Sequence, residues 1–225
     1  RASDIKPCIN CLIGCIDRGM LSHTPIHCTV NPSLYRFECK PVEKAETRKQ
    51  VAVVGAGPAG CEAALTASKR GHQVTIYEKR CIGGAMIEAS KPENKANIKR
   101  LIHYYEDHIM HDPNITLVKK EVEYETLVHR GYDAVIIAVG GKTRILNVPG
   151  IEKNSVIYAS DYLNGSTAVT GNTVVVIGGG ITGAETALEL NAEGKKVTIV
   201  EMTDAFLANL VPLVRHILQR SMKQT

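Results

Sequence analysis

The chain contains one glycine-rich unit written twice, and this repeat constrains its fold more than any other feature. The first copy starts at Val51 with VAVVGAGPAGCEAALTASKRGHQVTIYEK, and the second starts at Val174 with VVVIGGGITGAETALELNAEGKKVTIVEM. Thirteen positions of the first copy, Glu78 the last of them, match residues 123 positions later. Solenoid repeats have periods of about 20 to 50 residues. The long offset therefore predicts two copies of one domain type.

Each copy has the order of elements that suits a dinucleotide. A run of β-branched residues bounded by glycine predicts a buried parallel strand. G-x-G-x-x-G follows, then a helix that stops near Gly71 or Gly194, and then a second short strand that ends in an acid. The first glycine permits a tight turn, the second lets the backbone approach a pyrophosphate, and the third lets the helix pack on the strand. The helix N-terminus offers free N–H groups to the phosphates.

This pattern yields the candidate cofactor-binding residues of both copies. Those of the first copy are Gly55, Gly57, Pro58, Ala59, Gly60 and Glu78. Those of the second copy are Gly178, Gly180, Ile181, Gly183 and Glu201. The two glutamates stand where a carboxylate accepts hydrogen bonds from an adenosine ribose. No catalytic residue is assigned within the chain.

The segments between and after the copies complete an α/β pattern. Apolar residues at helical spacing predict an amphipathic helix over 92–111. The stretch ITLV from Ile115 predicts a short strand, and YDAVIIAVGG from Tyr132 predicts a buried strand that ends in a glycine turn. Asp161 is a candidate cap of a short helix. A last amphipathic helix is predicted over 210–222, with Pro212 in its first turn.

Four of the seven cysteines lie near the start of the chain, in the pattern C-x2-C-x3-C-x12-C. They are Cys8, Cys11, Cys15 and Cys28. Three thiolates within eight residues can wrap one face of a cluster, and a fourth from a returning loop can close it. From the spacing alone an iron–sulfur cluster is favoured, while zinc and a set of disulfides or free thiols stay open. The other three cysteines are scattered: Cys39, Cys61 and Cys81. Cys61 is interpreted as packing its helix, and Cys81 as a bystander without a redox partner at C-x-x-C spacing.

Composition excludes several classes of function. A net charge of +4 with separated basic pairs, no tryptophan and two phenylalanines gives no basis for a nucleic-acid partner. No apolar run reaches the roughly 18 to 20 residues of a membrane span, and no secretion signal is recognisable. We expect a cytoplasmic protein without a membrane partner, in which clustered cysteines serve metal or redox chemistry. A homo-oligomer is compatible with the sequence.

The order of these motifs resembles one flavoprotein family. KPCINCLIGC, HCTVNP, VAVVGAGPAG, YEK with IGGAM, YDAVIIAVGG, VPGI and VVVIGGGITGAE occur in that order between Lys6 and Glu201. The chain is similar to the C-terminal half of the multidomain enzymes that include 2,4-dienoyl-CoA reductase, 2-enoate reductase and trimethylamine dehydrogenase. That resemblance adds further cofactor-binding candidates: Lys79, Gly83, Gly84, Ala138 and Gly140. The family's A-T-G at the last two of these reads Ala138-Val139-Gly140 here.

The resemblance implies the cofactors and the electron path. The four cysteines would hold a [4Fe-4S] cluster, the first copy FAD and the second a nicotinamide nucleotide. Electrons would run from NADH to FAD, through the cluster, to FMN in an N-terminal barrel that reduces an activated C=C bond. That barrel, a partner within the same chain, is absent from this sequence. We therefore expect a fragment of a longer oxidoreductase, not competent alone.

The expected organisation is two Rossmann-like units in a glutathione-reductase-like arrangement after an irregular cysteine segment. The predicted domains are residues 1–45 for the cysteine segment, 46–166 for an incomplete FAD domain and 167–225 for a truncated NAD(H) domain. Glu201, with no arginine in the Met202-Thr203-Asp204 stretch after it, predicts NADH over NADPH. Two alternatives are an amine-dehydrogenase-like protein with ADP in the first fold and a non-catalytic nucleotide-binding or zinc-stabilised module.

Overall fold

The protein divides into two compact units. The computed structural model describes residues 4–34, 41–208 and 210–223. Residues 4–10 and 41–142 form the first unit. Residues 11–34 and the described part of 143–223 form the second. Cys39 lies outside the described residues.

A parallel sheet forms the centre of the first unit. Its strands are β1 (Gln50–Val54), β2 (Gln73–Tyr77), β3 (Ile115–Val118) and β4 (Ala134–Ile137). The strand order is β3-β2-β1-β4, and all three pairings are parallel. In this register Val53 lies opposite Ile76 on one side and Ile136 on the other. Because parallel strands all end at one edge, the loops after β1, β2 and β4 meet there.

Helices surround this sheet and supply its core. They are α1 (Pro58–Lys69), α2 (Met86–Ala89), α3 (Ala96–Met110) and α4 (Tyr124–His129), with a 3₁₀ turn at Glu93–Lys95. The helix predicted over 92–111 is confirmed as that turn followed by α3. Its apolar stripe is buried: Leu101, Ile102, Tyr105 and Ile109. On the sheet, Val53 and Ile76 are fully buried, so the middle strands of this unit have the burial that their β-branched runs predict.

The second unit is built on a two-stranded parallel sheet in the described residues. Its elements are a π-helix (Ile13–Leu21), α5 (Ala159–Leu163), β5 (Thr173–Ile177), α6 (Ile181–Ala192), β6 (Lys196–Val200) and α7 (Pro212–Lys223). Tyr162 and Leu163 pack on Leu190 in one core cluster. Leu207 and Leu218 pack on Ala184 in another. Helix α7 starts at Pro212, as predicted from the proline's tolerance in a first turn.

Burial was predicted wrongly for three strands. In β4, Ile137 is 65% exposed, although the strand was predicted to be buried. In β5 and β6 the residues alternate, so that Val176 packs in the core while Ile177 is 65% exposed and Val200 51% exposed. Within the described residues, helices cover only one face of these strands. A run of apolar residues does not report how many faces are covered, which is decided by distant elements.

The structure confirms the predicted ends of α1 and α6 but not the predicted N-cap of α5. Gly71 and Gly194 both have positive φ, of 93° and 83°, at the ends of α1 and α6, which confirms the predicted left-handed stops. Asp161 lies inside the first turn of α5, and Tyr158 takes the N-cap position without a side-chain hydrogen bond. The predicted capping role of Asp161 is therefore wrong.

The compact units divide the chain elsewhere than the predicted domains do. The division falls between Lys142 and Thr143, whereas the sequence suggested a boundary at 166/167. The reason is α5, whose Tyr162 and Leu163 pack against Leu190 of the second unit. In addition, the Tyr162 hydroxyl donates a hydrogen bond of 2.8 Å to Glu193 Oε1. The three predicted domains stay a prediction.

Within the described ranges, no helix is both long enough and apolar enough to cross a membrane.

Two isoleucines on the strands that flank β1, one buried and one exposed, test the described burial. Ile76→Ala should lower the free energy of unfolding by about 2 to 5 kcal/mol, because it removes fully buried methyl groups and leaves a cavity. The matched change Ile137→Ala should cost less than about 0.5 kcal/mol, because that side chain is largely exposed. Urea denaturation followed by circular dichroism measures both. Equal losses would show that the exposed face of β4 is covered.

Candidate functional site

The first glycine-rich loop joins β1 to α1 at the carboxyl edge of the sheet. Gly55 has a φ of +100° and donates its N–H to Tyr77 O at 2.8 Å. A Cβ added at Gly55 would collide with the carbonyl oxygen of Ala138. Only glycine satisfies both the left-handed backbone and this close approach. Gly55 and Ala138 thus form the floor of the loop, as the motif predicts.

The third glycine sets the approach of the helix to the strand. A Cβ at Gly60 would overlap the carbonyl oxygen of Gly55, with the Ala138 side chain 3.4 Å away. Gly57 is the N-cap residue and Pro58 the first helical residue of α1. Proline suits this position, because its missing N–H would be unpaired there in any case. The free N–H groups of the first turn therefore face the space above the loop.

The second loop repeats this geometry. Gly178 has a φ of +106° and donates to Val200 O at 2.8 Å. A Cβ at Gly183 would overlap the carbonyl oxygen of Gly178. Gly180 is the N-cap of α6, and Ile181 begins the helix. The two copies thus agree in backbone conformation as well as in sequence.

The fold requires glycine at Gly178 and Gly183 but not at Gly180. Its φ of −76° suits any residue, and a Cβ there would meet no atom within 4 Å. Open space beside a helix N-terminus is where a pyrophosphate binds in such loops. The open space beside Gly180, which a Cβ would enter, therefore fits the pyrophosphate of a dinucleotide. At Gly57 the added Cβ would be 3.8 Å from Gly84 Cα, an ordinary contact.

The predicted acids are held against the loops. Glu78 Oε2 accepts the N–H of Ala56 at 2.8 Å. Glu201 Oε2 accepts the N–H of Gly179 at 2.6 Å, and its Oε1 accepts the N–H of Thr203 at 2.8 Å. These bonds, first that from Gly179 and then those from Thr203, lower the pKa of Glu201. Each carboxylate is thus held by the backbone N–H of the middle residue of G-x-G, where a ribose hydroxyl could donate to it.

The residues taken from the family resemblance do not all lie at the first glycine-rich loop. Gly83 donates to Ala56 O at 2.8 Å, so the loop 83–84 closes on the first glycine-rich loop. Gly84 has a φ of +53°, and a Cβ there would come within 2.8 Å of Gly57 Cα. Gly140, with a φ of +70°, has open space around it. Lys79 extends instead to Glu121, at 2.9 Å, and lowers the pKa of that exposed carboxylate.

Sequence reasoning did not identify the residues that hold the acids. Ala56 and Gly179 occupy the variable position of G-x-G and act through their backbone N–H. Thr203 also donates its hydroxyl to Glu201 Oε1 at 3.0 Å. The 123-residue offset would have paired these positions, since Ala56 corresponds to Gly179 and Arg80, whose N–H binds Glu78, to Thr203. Sequence reasoning missed these residues because they act through backbone N–H groups, and a pattern of side chains does not show backbone donors.

The four candidate metal ligands fall in both units. Cys8 belongs to the first unit, and Cys11, Cys15 and Cys28 belong to the second. All four are free thiols, exposed or half-exposed. Among the residues that the structure describes, no three or more cysteine, histidine or acidic side chains converge into a metal-binding group. Four free thiols are donors that suit a soft metal or an iron–sulfur cluster. That the four close around one cluster stays a prediction.

The backbone around the cysteines is unusual. Asn10 and Leu12, which flank Cys11, have positive φ values of 54° and 59°. Left-handed conformations are uncommon for such residues and redirect the chain over one residue. In addition, the N–H of Asn10 lies 3.3 Å from Cys8 Sγ. N–H donors to sulfur are among the features by which proteins adjust iron–sulfur clusters.

In the second unit, the segment that follows the π-helix returns to contact that helix at Gly14. His27 donates its N–H to Gly14 O at 2.9 Å. A Cβ at Gly14 would collide with the His27 backbone and ring. The Cys11 sulfur also lies 3.2 Å from Thr29 Oγ1. These contacts bring the segment that carries Cys28 alongside the segment that carries Cys11 and Cys15.

The scattered cysteines and the histidines of α3 do not form a site in the described residues. Cys61 is fully buried and donates its thiol to Ala56 O at 3.3 Å. Burial, followed by the charge of Glu62, raises the pKa of Cys61 to about 12, so its thiol is inert. His108 and His111 bond to backbone carbonyls of their own helix.

Comparison with known proteins gives the class and then the family. The model of the pyridine nucleotide-disulphide oxidoreductase family matches residues 49–225. An NADH oxidase from Thermoanaerobacter brockii is 38% identical over 220 residues, which make up 96% of this chain and 34% of that protein. A cinnamate reductase from Clostridium sporogenes is 36% identical over 205 residues, 90% of this chain and 30% of that protein.

A solved structure agrees. The complex of 2-naphthoyl-CoA reductase with 2-naphthoyl-CoA matches this chain over its whole length and 34% of its own, with a TM-score of 0.93 and 31% identity. The chain thus spans about a third of the length of these relatives.

The parallel sheets and paired glycine-rich loops define a dinucleotide-binding α/β protein of the flavoprotein reductase class. The chain belongs to the pyridine nucleotide-disulphide oxidoreductase family. Within it, the chain corresponds to the FAD- and NAD-binding part of the 2-enoate and 2,4-dienoyl-CoA reductases, which confirms the resemblance seen in the sequence.

Substitutions at two glycines of the second loop distinguish an effect on packing from an effect on ligand binding. Gly183→Ala should lower both stability and dinucleotide affinity, because its methyl group would push α6 away from Gly178. Gly180→Ala should leave the free energy of unfolding within about 0.5 kcal/mol of the original and still weaken NADH binding about tenfold or more. Its methyl group meets only the space that the pyrophosphate needs. Thermal unfolding with and without NADH measures both effects. NADH binding unchanged in Gly180→Ala would refute this position for the phosphates.

Proposed function

We propose that this chain is the electron-input part of a longer NADH-dependent flavin and iron–sulfur oxidoreductase. The observation that carries the proposal is the duplication of one binding geometry. Both loops combine a left-handed first glycine, a helix start packed on that glycine, and a carboxylate held by a loop N–H. A chain with two such loops can bind two dinucleotides, and electron transfer from one dinucleotide to the other requires both.

The first loop is assigned to FAD and the second to NADH. After the acid, the first copy continues to Gly83 and Gly84, while the positions 123 residues later are Phe206 and Leu207. In the second copy the Phe206 ring packs at Gly179, and Leu207 donates to Gly179 O at 3.0 Å. The glycine pair leaves main chain without side chains beside the first loop. That difference supports a larger cofactor in the first copy.

The residues of this chain would bind and orient these groups. The N-termini of α1 and α6 would hold the pyrophosphates, and Glu78 and Glu201 the riboses. The thiolates of Cys8, Cys11, Cys15 and Cys28 would hold the cluster. When bound, FAD would supply hydride acceptance from NADH, and the cluster would supply single-electron transfer toward an FMN barrel that reduces an activated C=C bond. The barrel, its substrate and a cytoplasmic location belong to the same proposal.

Cofactor analysis tests this assignment. The full-length protein, purified without air, should contain FAD and about four irons per chain, because four thiolates bind one [4Fe-4S] cluster. Nucleotide extraction with chromatography and an iron assay give both numbers. Bound ADP with iron would instead support an amine-dehydrogenase-like protein. Zinc without flavin would support a non-catalytic module.

The cofactor preference follows from the charge of Glu201. For reduction of the bound flavin, kcat/KM should be at least about tenfold higher with NADH than with NADPH, because the carboxylate repels a 2′-phosphate. The lowered pKa keeps this carboxylate ionised as the pH falls into its ordinary titration range, so the preference should persist at mildly acidic pH. Glu201→Gln should reduce the ratio. Asp204→Asn removes a nearby exposed charge that the loop does not hold, and it should leave the ratio unchanged. A higher kcat/KM with NADPH would contradict the assignment.

A further inference from the structure

A polar network of the first unit lies outside the two loops. The hydroxyl of Tyr105 donates a hydrogen bond of 2.7 Å to Glu62 Oε1, and Tyr105 is only 2% exposed. The same carboxylate oxygen forms an ion pair with Lys6 Nζ. The lysine nitrogen also lies 5.7 Å from the ring centroids of both Tyr104 and Tyr105. One carboxylate therefore joins a cation and a buried phenol.

The network connects three separate segments of the chain. Glu62 lies on α1, two residues after the third glycine, and Tyr105 lies on α3. Lys6 precedes Cys8 by two residues. The contacts therefore span 56 residues from Lys6 to Glu62 and 43 from Glu62 to Tyr105. This ion pair and hydrogen bond hold the short arm that carries Cys8 against the helix whose start faces the first loop.

Partial burial should make this ion pair contribute more than a fully exposed one. The side chains of Lys6 and Glu62 are only 20% and 38% exposed, whereas freely exposed pairs contribute little because water screens them and both side chains lose entropy. The two tyrosine rings lie within the distance at which aromatic rings attract cations. Burial, and next the Glu62 carboxylate, raise the pKa of Tyr105, so its hydroxyl stays a donor at any physiological pH.

We propose that Lys6 is a positioning residue, which through Glu62 and Tyr105 fixes the Cys8 arm on the flavin-binding helix and places a positive charge two residues from a cluster ligand. This inference rests on the proposed function for its redox consequence. Its structural part, the fixing of the arm, does not. If the arm were loose, the Cys8 thiolate would vary in position relative to the flavin side of the protein, and electron transfer depends on such geometry.

Hydrogen exchange tests the fixing of the arm in the full-length protein. Lys6→Met and Glu62→Gln should each accelerate amide exchange in a peptide covering residues 4–10 by about fivefold or more, because local opening loses the ion pair. Lys6→Arg should retain most of the protection. Lys99→Met, which removes an exposed lysine from α3, should change nothing in that peptide. Unchanged exchange in both Lys6→Met and Glu62→Gln overturns the inference.

The midpoint potential of the cluster tests the charge. Lys6→Met removes a positive charge and should lower the potential, because the reduced cluster is the more negative state. Glu62→Gln leaves the lysine unbalanced and should raise it. A purely structural role would move both in the same direction or neither, and that result overturns the electrostatic part. Tyr105→Phe, which removes only the hydroxyl, should accelerate exchange in the arm with a smaller change in potential.

The failures of the two proposals are distinguishable. A protein without iron or flavin refutes the proposed function and the redox role of Lys6 together. A protein with iron and flavin, in which NADH reduces the flavin normally but the lysine variants leave exchange and potential unchanged, refutes the positioning inference alone.

Discussion

The structure depends on one close contact, that of a helix start with the end of the preceding strand. At Gly60 and at Gly183 the contact is so tight that a methyl group would overlap a carbonyl oxygen. Because the helix approaches this far, its first N–H groups converge on the space above the loop, where their partial positive charge would attract a phosphate. The carboxylate at the end of the next strand then lies within hydrogen-bond distance of the same loop. Each later feature of the two sites follows from this packing.

The two copies share that contact and differ in what surrounds it. In the first unit, β1 and β2 lie in the middle of a four-stranded sheet on which α1 and α3 pack, and Ala52, Val53, Val74 and Ile76 are fully buried. In the second, the described residues provide two strands with helices on one face, so Val175 and Ile177 are exposed. The loops therefore keep one geometry in two different settings. A binding geometry of this kind is a local property of strand, glycine and helix, and it does not require the complete sheet.

This distinction explains how much could be predicted from the sequence. The glycines, strands and helices of both copies follow from neighbours within about thirty residues, and the structure has them where the sequence predicts. The exposure of Ile137, by contrast, depends on whether any distant element covers that face. The network of Lys6, Glu62 and Tyr105 joins residues far apart in the chain, and the motifs that contain Lys6 and Glu62 do not indicate that these side chains meet. The compact-unit boundary differed because α5 packs forward onto Leu190, a contact that its own sequence does not specify.

The carboxylates illustrate why backbone donors matter as much as the acids themselves. An exposed glutamate alone would lose side-chain entropy each time it bound a ribose. Glu201 is already held by two N–H groups and a hydroxyl before any ligand arrives. The bonds that orient it also favour its ionised form, so orientation and charge have one cause. With the proposed assignment, a ribose hydroxyl would meet a preorganised acceptor, whereas a 2′-phosphate would meet a fixed negative charge that cannot turn away. The proposed selectivity would then arise from restricting the acid, and the restriction comes from the same loop that would receive the phosphates.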